Sequence, residues 1–70
     1  MTSDAEKRQN ARVAAMTEYL RPHATGLHAL WDAMPGAFLA AFGREVDKAD
    51  AHDVMLCHAA LAPFDYLEDD

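Results

Sequence analysis

An all-α fold, with three or four short helices in a compact bundle, is the architecture that the sequence predicts. Alanine, the strongest helix former, occurs fifteen times in 70 residues, whereas valine occurs three times and isoleucine is absent. Apolar residues recur at spacings of three and four along much of the chain, without the alternation typical of strands. Because β-branched residues favour strands, composition and periodicity both indicate helices.

The length allows one domain, so residues 1–70 are predicted to form a single helical unit. A chain of this size buries about 60% of the surface that its unfolded form exposes, and small cores often need a supplement. Cys57 is the only cysteine, which excludes an internal disulfide and indicates a reducing compartment. We therefore expect close helix packing supplemented by self-association, and predict a homodimer.

The first helix is predicted to begin after Ser3, because Ser3 and Glu6 have the spacing of a capping box. Apolar residues at helical spacing then continue as far as Leu20. Pro22 disfavours helical geometry in the preceding residue and should end the helix there. Residues 1–11 offer few apolar side chains, so we expect them to be solvated or frayed.

Pro22 is suited to the first position of a second helix. The apolar stripe of this second helix consists of Leu27, Leu30, Trp31, Met34, Phe38 and Phe42. Pro35 and the glycine after it interrupt this stripe. Because proline removes a backbone donor and Pro-Gly pairs favour turns, we expect a corner here, with a separate short helix over 37–42 that ends at Gly43. One helix kinked at Pro35, or a helix continuing past Gly43 to Val46, is the alternative.

The last helix is predicted to be capped by Asp47 or Asp50 and to end at Pro63. Residues 54–62 are apolar except for His58, so this helix should be central or buried between two subunits. The predicted dimer seam consists of Val54, Met55 and Leu61.

Residues 64–70, beyond Pro63, form a tail that combines aromatic and acidic side chains. The chain has more large apolar side chains than one small core accommodates, and aromatic residues are enriched at protein interfaces. The sequence therefore predicts a protein-binding surface formed by Trp31, Phe38, Phe42, Phe64, Tyr66 and Leu67.

No arrangement typical of catalysis is present, so we predict a protein that is not an enzyme and has no cofactor. Cys57 and His58 are adjacent, and neighbouring helical residues do not face each other. The one possible metal-ligand set joins His28 with Asp32 and Asp53 with Cys57, each pair at i and i+4. His28 and Asp32 are equally well explained as a pair on a helix surface, and Cys57 as a buried apolar residue. No metal is therefore expected.

The net charge of −6 is concentrated beyond residue 22, where nine acidic residues outnumber two basic ones. An acidic surface repels phosphate, which argues against nucleic acid as a partner. The polar N-terminus does not resemble a signal peptide, and no stretch reaches the roughly 18 apolar residues of a membrane span. We expect a cytoplasmic protein with no membrane association.

The predicted function is a small non-enzymatic interaction module that binds a larger protein of unknown identity as a regulator or inhibitor. The alternative is a DNA-binding or transcription-regulating protein similar to a helix-turn-helix, since short helices joined by tight corners resemble that topology. Side chains suited to DNA are concentrated on the first helix: Lys7, Arg8, Gln9, Asn10 and Arg12.

Overall fold

Three α-helices form the fold in a computed structural model, which describes residues 3–67. The helices are α1 (Asp4–Leu20), α2 (Leu27–Phe42) and α3 (Ala51–Leu61), with 3-10 turns at Arg21–His23 and Ala62–Phe64. The all-α prediction is confirmed, and within residues 3–67 there is no strand. None of the three helices is long and apolar enough to cross a membrane. Residues 68–70, the acidic end of the predicted tail, lie outside the described part of the chain.

α1 begins and ends where the sequence predicts. Ser3 Oγ accepts a hydrogen bond from the Glu6 backbone N–H at 3.1 Å, and the last helical residue is Leu20. Pro22, however, does not open the second helix. It lies in the 3-10 turn, and the backbone after this turn leaves helical geometry before α2 begins at Leu27. The chain reverses here: α2 packs on α1, and Arg12 in α1 lies over the ring of Phe42, the last residue of α2.

α2 is a single helix that contains Pro35, so the predicted corner and the separate helix over 37–42 are wrong. Proline removes only one helical hydrogen bond, the one to the carbonyl of Trp31. Both Pro35 and Trp31 are exposed residues, so water can reach this part of the helix. Met34 and Phe38, on either side of the proline along the buried face, both belong to the core and keep the helix continuous.

Gly43 ends α2, as predicted, and the alternative in which the helix continues to Val46 is wrong. Gly43 has a φ of 71°, in the left-handed region that glycine adopts readily. Its N–H donates to the Leu39 carbonyl at 2.8 Å and so closes the last turn.

Replacing Gly43 with alanine should destabilise the fold by about 1 kcal/mol, because a Cβ is disfavoured at positive φ. The added Cβ would have no neighbour within 4 Å, so the loss is one of backbone conformation alone. Thermal unfolding followed by circular dichroism should show a Tm roughly 4–8 °C lower. Gly43→Asn, which tolerates this conformation better, should lose less. Equal Tm values for wild type and Gly43→Ala would contradict the left-handed cap.

α3 begins after Asp50, whose Oδ1 accepts from the His52 backbone N–H at 2.9 Å. Of the two predicted caps, the structure therefore selects Asp50, while Asp47 Oδ1 accepts from the Ala49 N–H within the linker. The helix is not central in the fold. One of its faces packs into the core, whereas Met55 on the other side is 53% exposed.

All three helices contribute to the core, which consists of Met16, Leu20, Leu30, Met34, Ala37, Phe38, Leu56, Cys57, Ala60 and Phe64. A buried polar contact joins α1 to α3: the Thr17 hydroxyl lies 3.1 Å from the carbonyl oxygens of both Val13 and Ala60 and can donate its one hydrogen to either. Phe64, from the turn after α3, is 1% exposed and completes the core. α2 and α3 both pack mainly on α1 and touch each other little.

Candidate functional site

A groove lies between α2 and α3, and residues from the linker over 43–50 form its third wall. Its deeper part has a volume of about 340 Å³ and is lined by Trp31, Met34, Pro35, Val46, Lys48, Val54 and Cys57. A shallower part of about 370 Å³ is lined by Pro35, Gly36, Leu39, Glu45, Val46 and Lys48. Pro35, Val46 and Lys48 line both parts. The two parts therefore form one continuous depression, named here the α2–α3 groove.

Helical spacing explains how the apolar side chains reach the α2–α3 groove. Trp31, Pro35 and Leu39 follow one another at intervals of four and so share a face of α2. Val54 and Cys57, three residues apart, lie on the opposing face of α3. The α2 and α3 walls of the groove are therefore mostly apolar. The α2 wall spans two helical turns, about 12 Å.

Two large apolar side chains on this wall remain accessible to a partner. Trp31 is 42% exposed and Leu39 is 49% exposed. The Trp31 ring makes an edge-on contact with the ring of His58, with 5.4 Å between centroids, and this contact connects α2 to α3. The deeper lining residues Met34 and Cys57 are almost fully buried and form the floor.

An ion pair fixes the linker wall of the groove. Asp53 is fully buried, and its two oxygens each accept from the guanidinium of Arg44 at 2.8 Å. The Asp47 backbone N–H donates to the same carboxylate at 3.0 Å. The hydrogen bonds from Arg44, and then that from Asp47, lower the pKa of Asp53 to about 2. Arg44 also lies over the Phe38 ring, 5.0 Å from its centroid. The linker is thus held on both sides of Val46.

Cys57 lines the groove but is chemically quiet. Burial, and then the charge of Asp53, raise the pKa of its thiol, so it stays protonated at neutral pH. The structure does not assemble the possible ligand set of His28, Asp32, Asp53 and Cys57, since the Asp53 carboxylate is occupied by Arg44. Within residues 3–67, no three His, Cys, Asp or Glu side chains are grouped so that they could hold a metal ion.

The six residues predicted to bind a partner do not form one surface. Trp31 lies on the groove and Tyr66 is 69% exposed, but Phe38 and Phe64 are buried in the core, where a partner cannot reach them in this conformation. Phe38 and Phe64 therefore belong to the core and not to the predicted binding surface. Phe42 is half-buried and stacks on Phe38 with 4.5 Å between ring centroids.

Leu67, the last of the six, is half-buried against the core. Of the predicted seam residues, Val54 lines the groove, Met55 is exposed and Leu61 is half-buried.

Sequence reasoning missed several groove residues, namely Pro35, Leu39, Val46 and Lys48. The signal for Leu39 was present, because it lies eight residues after Trp31 on one helical face. Trp31 and Leu39 share a face only if α2 is one continuous helix. The expected corner at Pro35 placed them on two different helices. Val46 and Lys48 come from irregular linker, for which periodicity gives no signal.

The basic residues of α1 lie away from the groove. Lys7, Arg8 and Arg12 are exposed, and the Arg12 guanidinium lies over the Phe42 ring, 5.5 Å from its centroid. α2 and α3 contain neither lysine nor arginine.

Comparison with known proteins finds no family model that matches the chain, and no curated protein or solved structure significantly similar to it.

Proposed function

We propose that this protein is a small non-enzymatic interaction module that regulates or inhibits a larger protein by binding it through the α2–α3 groove. The observation that supports this proposal is the accessible apolar wall, where Trp31 and Leu39 stay more than two-fifths exposed beside an apolar floor. Apolar concavities on small proteins typically mark binding sites. A wall two helical turns long suits a short segment of a protein chain.

The chemistry of the groove favours binding over catalysis. Its charged lining side chains are Lys48 and Glu45, while the Cys57 thiol is protonated and nearly buried. Covalent catalysis needs an activated nucleophile within reach of a base. The groove supplies apolar contact area with a few charges at its edge, which is the composition of a protein interface.

DNA recognition has less support. A recognition helix contacts phosphates and base edges through basic and amide side chains. α2 and α3, the helices that a helix-turn-helix arrangement would use, contain no lysine or arginine. The exposed Lys7 and Arg8 lie on α1, the helix on which both α2 and α3 pack.

Leu39→Gln should abolish partner capture without unfolding the protein, because Leu39 is half exposed and contributes contact area mainly to a partner. Loss of a central apolar contact typically weakens binding by about tenfold or more. Tagged wild-type and variant proteins, incubated in native lysate and analysed by quantitative mass spectrometry, would show which partners depend on Leu39. The partner identified in this way would then be purified and its Kd measured by calorimetry.

Tyr66→Gln is the matched control, because it replaces an exposed large side chain outside the groove lining. We expect this control to retain the partner that Leu39→Gln loses. Full retention by Leu39→Gln together with loss on Tyr66→Gln would contradict the groove and favour the tail.

We also propose that the protein is a homodimer in solution through Val54, Met55 and Leu61. Val54 and Leu61 share a face of α3 at i and i+7, and the adjacent Met55 is 53% exposed. Sedimentation equilibrium should give about twice the 7.7 kDa chain mass, with a Tm that rises with protein concentration. Met55→Glu should shift the equilibrium towards monomer. A wild-type monomer with a concentration-independent Tm would contradict this proposal.

A further inference from the structure

The α2–α3 groove has an apolar floor, and four acidic residues lie in its lining or close to lining residues in the chain; these four are called its rim. Glu45 lines the shallower part, and Asp32 precedes Pro35 and Leu39 by three and seven residues on the same face of α2. Asp47 lies between two lining residues of the linker, and Asp50 caps α3 one turn before Val54. All four acidic residues are exposed.

Few positive charges offset this rim. The guanidinium of Arg44 is engaged by both oxygens of Asp53, and the pair is neutral as a unit. Among residues 3–67, Lys48 is the one cationic side chain that lines the groove. The rim therefore has a surplus of negative charge, which attracts cations and repels acidic partners.

From this charge pattern we infer that the groove takes a basic amphipathic segment of the partner protein, with apolar anchors on one face and Lys or Arg beside them. The inference rests on the proposed function. The apolar floor requires apolar side chains, and the acidic rim selects for flanking cations over flanking acids. A helix of two or more turns matches the length of the α2 wall. As the occupant of the groove itself, a second copy of this chain fits less well, since a symmetric contact there would place the same acidic rim against itself. In the proposed dimer, Val54 is the one seam residue that also lines the groove.

Trp31 is the only tryptophan, so its fluorescence reports directly on occupancy of the groove. The probes are two tryptophan-free helical peptides of roughly 18 residues with the same leucine stripe, one flanked by lysines and the other by glutamates. We expect the lysine peptide to bind about tenfold more tightly at about 50 mM NaCl, and this preference to shrink towards about 500 mM NaCl as the charges are screened.

The double variant Asp32→Asn/Glu45→Gln should lower affinity for the lysine peptide severalfold. Neither carboxylate makes a hydrogen bond within residues 3–67, so the fold is kept. The matched control is Asp4→Asn/Asp65→Asn, which changes net charge equally at the start of α1 and after the second 3-10 turn. This control should retain the lysine preference.

Equal affinities for the two peptides, tighter binding of the glutamate peptide or binding of neither would overturn the basic-partner inference. An equal loss in the control double variant would do the same, because the attraction would then reflect overall charge. Leu39→Gln must also lower the affinity for the lysine peptide. Full affinity of this variant would show that the peptide binds outside the groove. The proposed function is tested separately, since loss of the native partner on Leu39→Gln would uphold it even where the lysine peptide fails.

Discussion

Replacing Phe64 with alanine should leave much of the protein unfolded at physiological temperature. Phe64 is 1% exposed and belongs to the shared core. Phe→Ala substitutions in cores cost about 3–5 kcal/mol, whereas the whole stability of a chain this size is on the order of 4–10 kcal/mol. Circular dichroism should show a Tm at least about 15 °C lower than that of wild type.

Tyr66→Ala, two residues further along, is the control, since this side chain is 69% exposed and its loss should change stability by less than about 0.5 kcal/mol. Similar Tm values for the Phe64 and Tyr66 variants would contradict the core position of Phe64. The contrast affects how truncations are interpreted. A chain cut before Phe64 would lose core packing, so loss of a partner from such a truncation does not locate the interface in the tail.

Asp53→Asn should cause the second large loss of stability, with a Tm lower by on the order of 10 °C at neutral pH. The carboxylate accepts from both Arg44 nitrogens and from the Asp47 backbone N–H. An asparagine has one accepting oxygen, so its NH₂ group would face a donor in this buried position. Loosening of the linker should also weaken binding in the groove.

The pH dependence of stability should distinguish this ion pair from a generic packing defect. Folding lowers the pKa of Asp53 from an ordinary value of 3.8 to about 2, because Arg44 and the Asp47 amide bind the charged form. A lowered pKa stabilises the folded state at pH values above the unfolded pKa, and this stabilisation is lost as pH falls through the folded pKa. The Tm difference between wild type and Asp53→Asn should therefore be full above about pH 5 and shrink between about pH 4 and about pH 2.

Arg44→Gln provides the complementary control. It leaves Asp53 with the Asp47 amide but without the cation, so the carboxylate should titrate closer to its ordinary range. A Tm difference between wild type and Asp53→Asn that stays constant from neutral pH to pH values near 2 would show that the carboxylate charge contributes nothing.

The helices could be predicted from local signals because those signals act within one or two turns. The cap at Ser3, the stop at Gly43 and the start after Asp50 each depend on one side chain or one backbone angle. The corner expected at Pro35 is wrong because the local preference of Pro-Gly for a turn competes with the burial of side chains before and after it. Met34 and Phe38 are 3% and 0% exposed, and this tertiary contact outweighs one missing hydrogen bond.

The candidate site was harder to predict because it depends on where three segments meet. Trp31 was recognised as an interface residue from its type, but its neighbours Val46 and Lys48 come from the linker, which has no periodicity. The sequence also does not distinguish a buried aromatic from an exposed one after a proline. Phe64 turns into the core, whereas Tyr66 faces solvent, and only the packing of the final 3-10 turn decides between them.

Binding of a partner protein through the α2–α3 groove is tested most directly by site-specific photo-crosslinking. A photoreactive amino acid would replace Leu39 in one protein and Tyr66 in another, both at exposed positions. After irradiation in native lysate, we predict a covalent adduct with one partner protein from position 39 and none from position 66. An adduct from position 66 without one from position 39 would contradict the groove as the binding site.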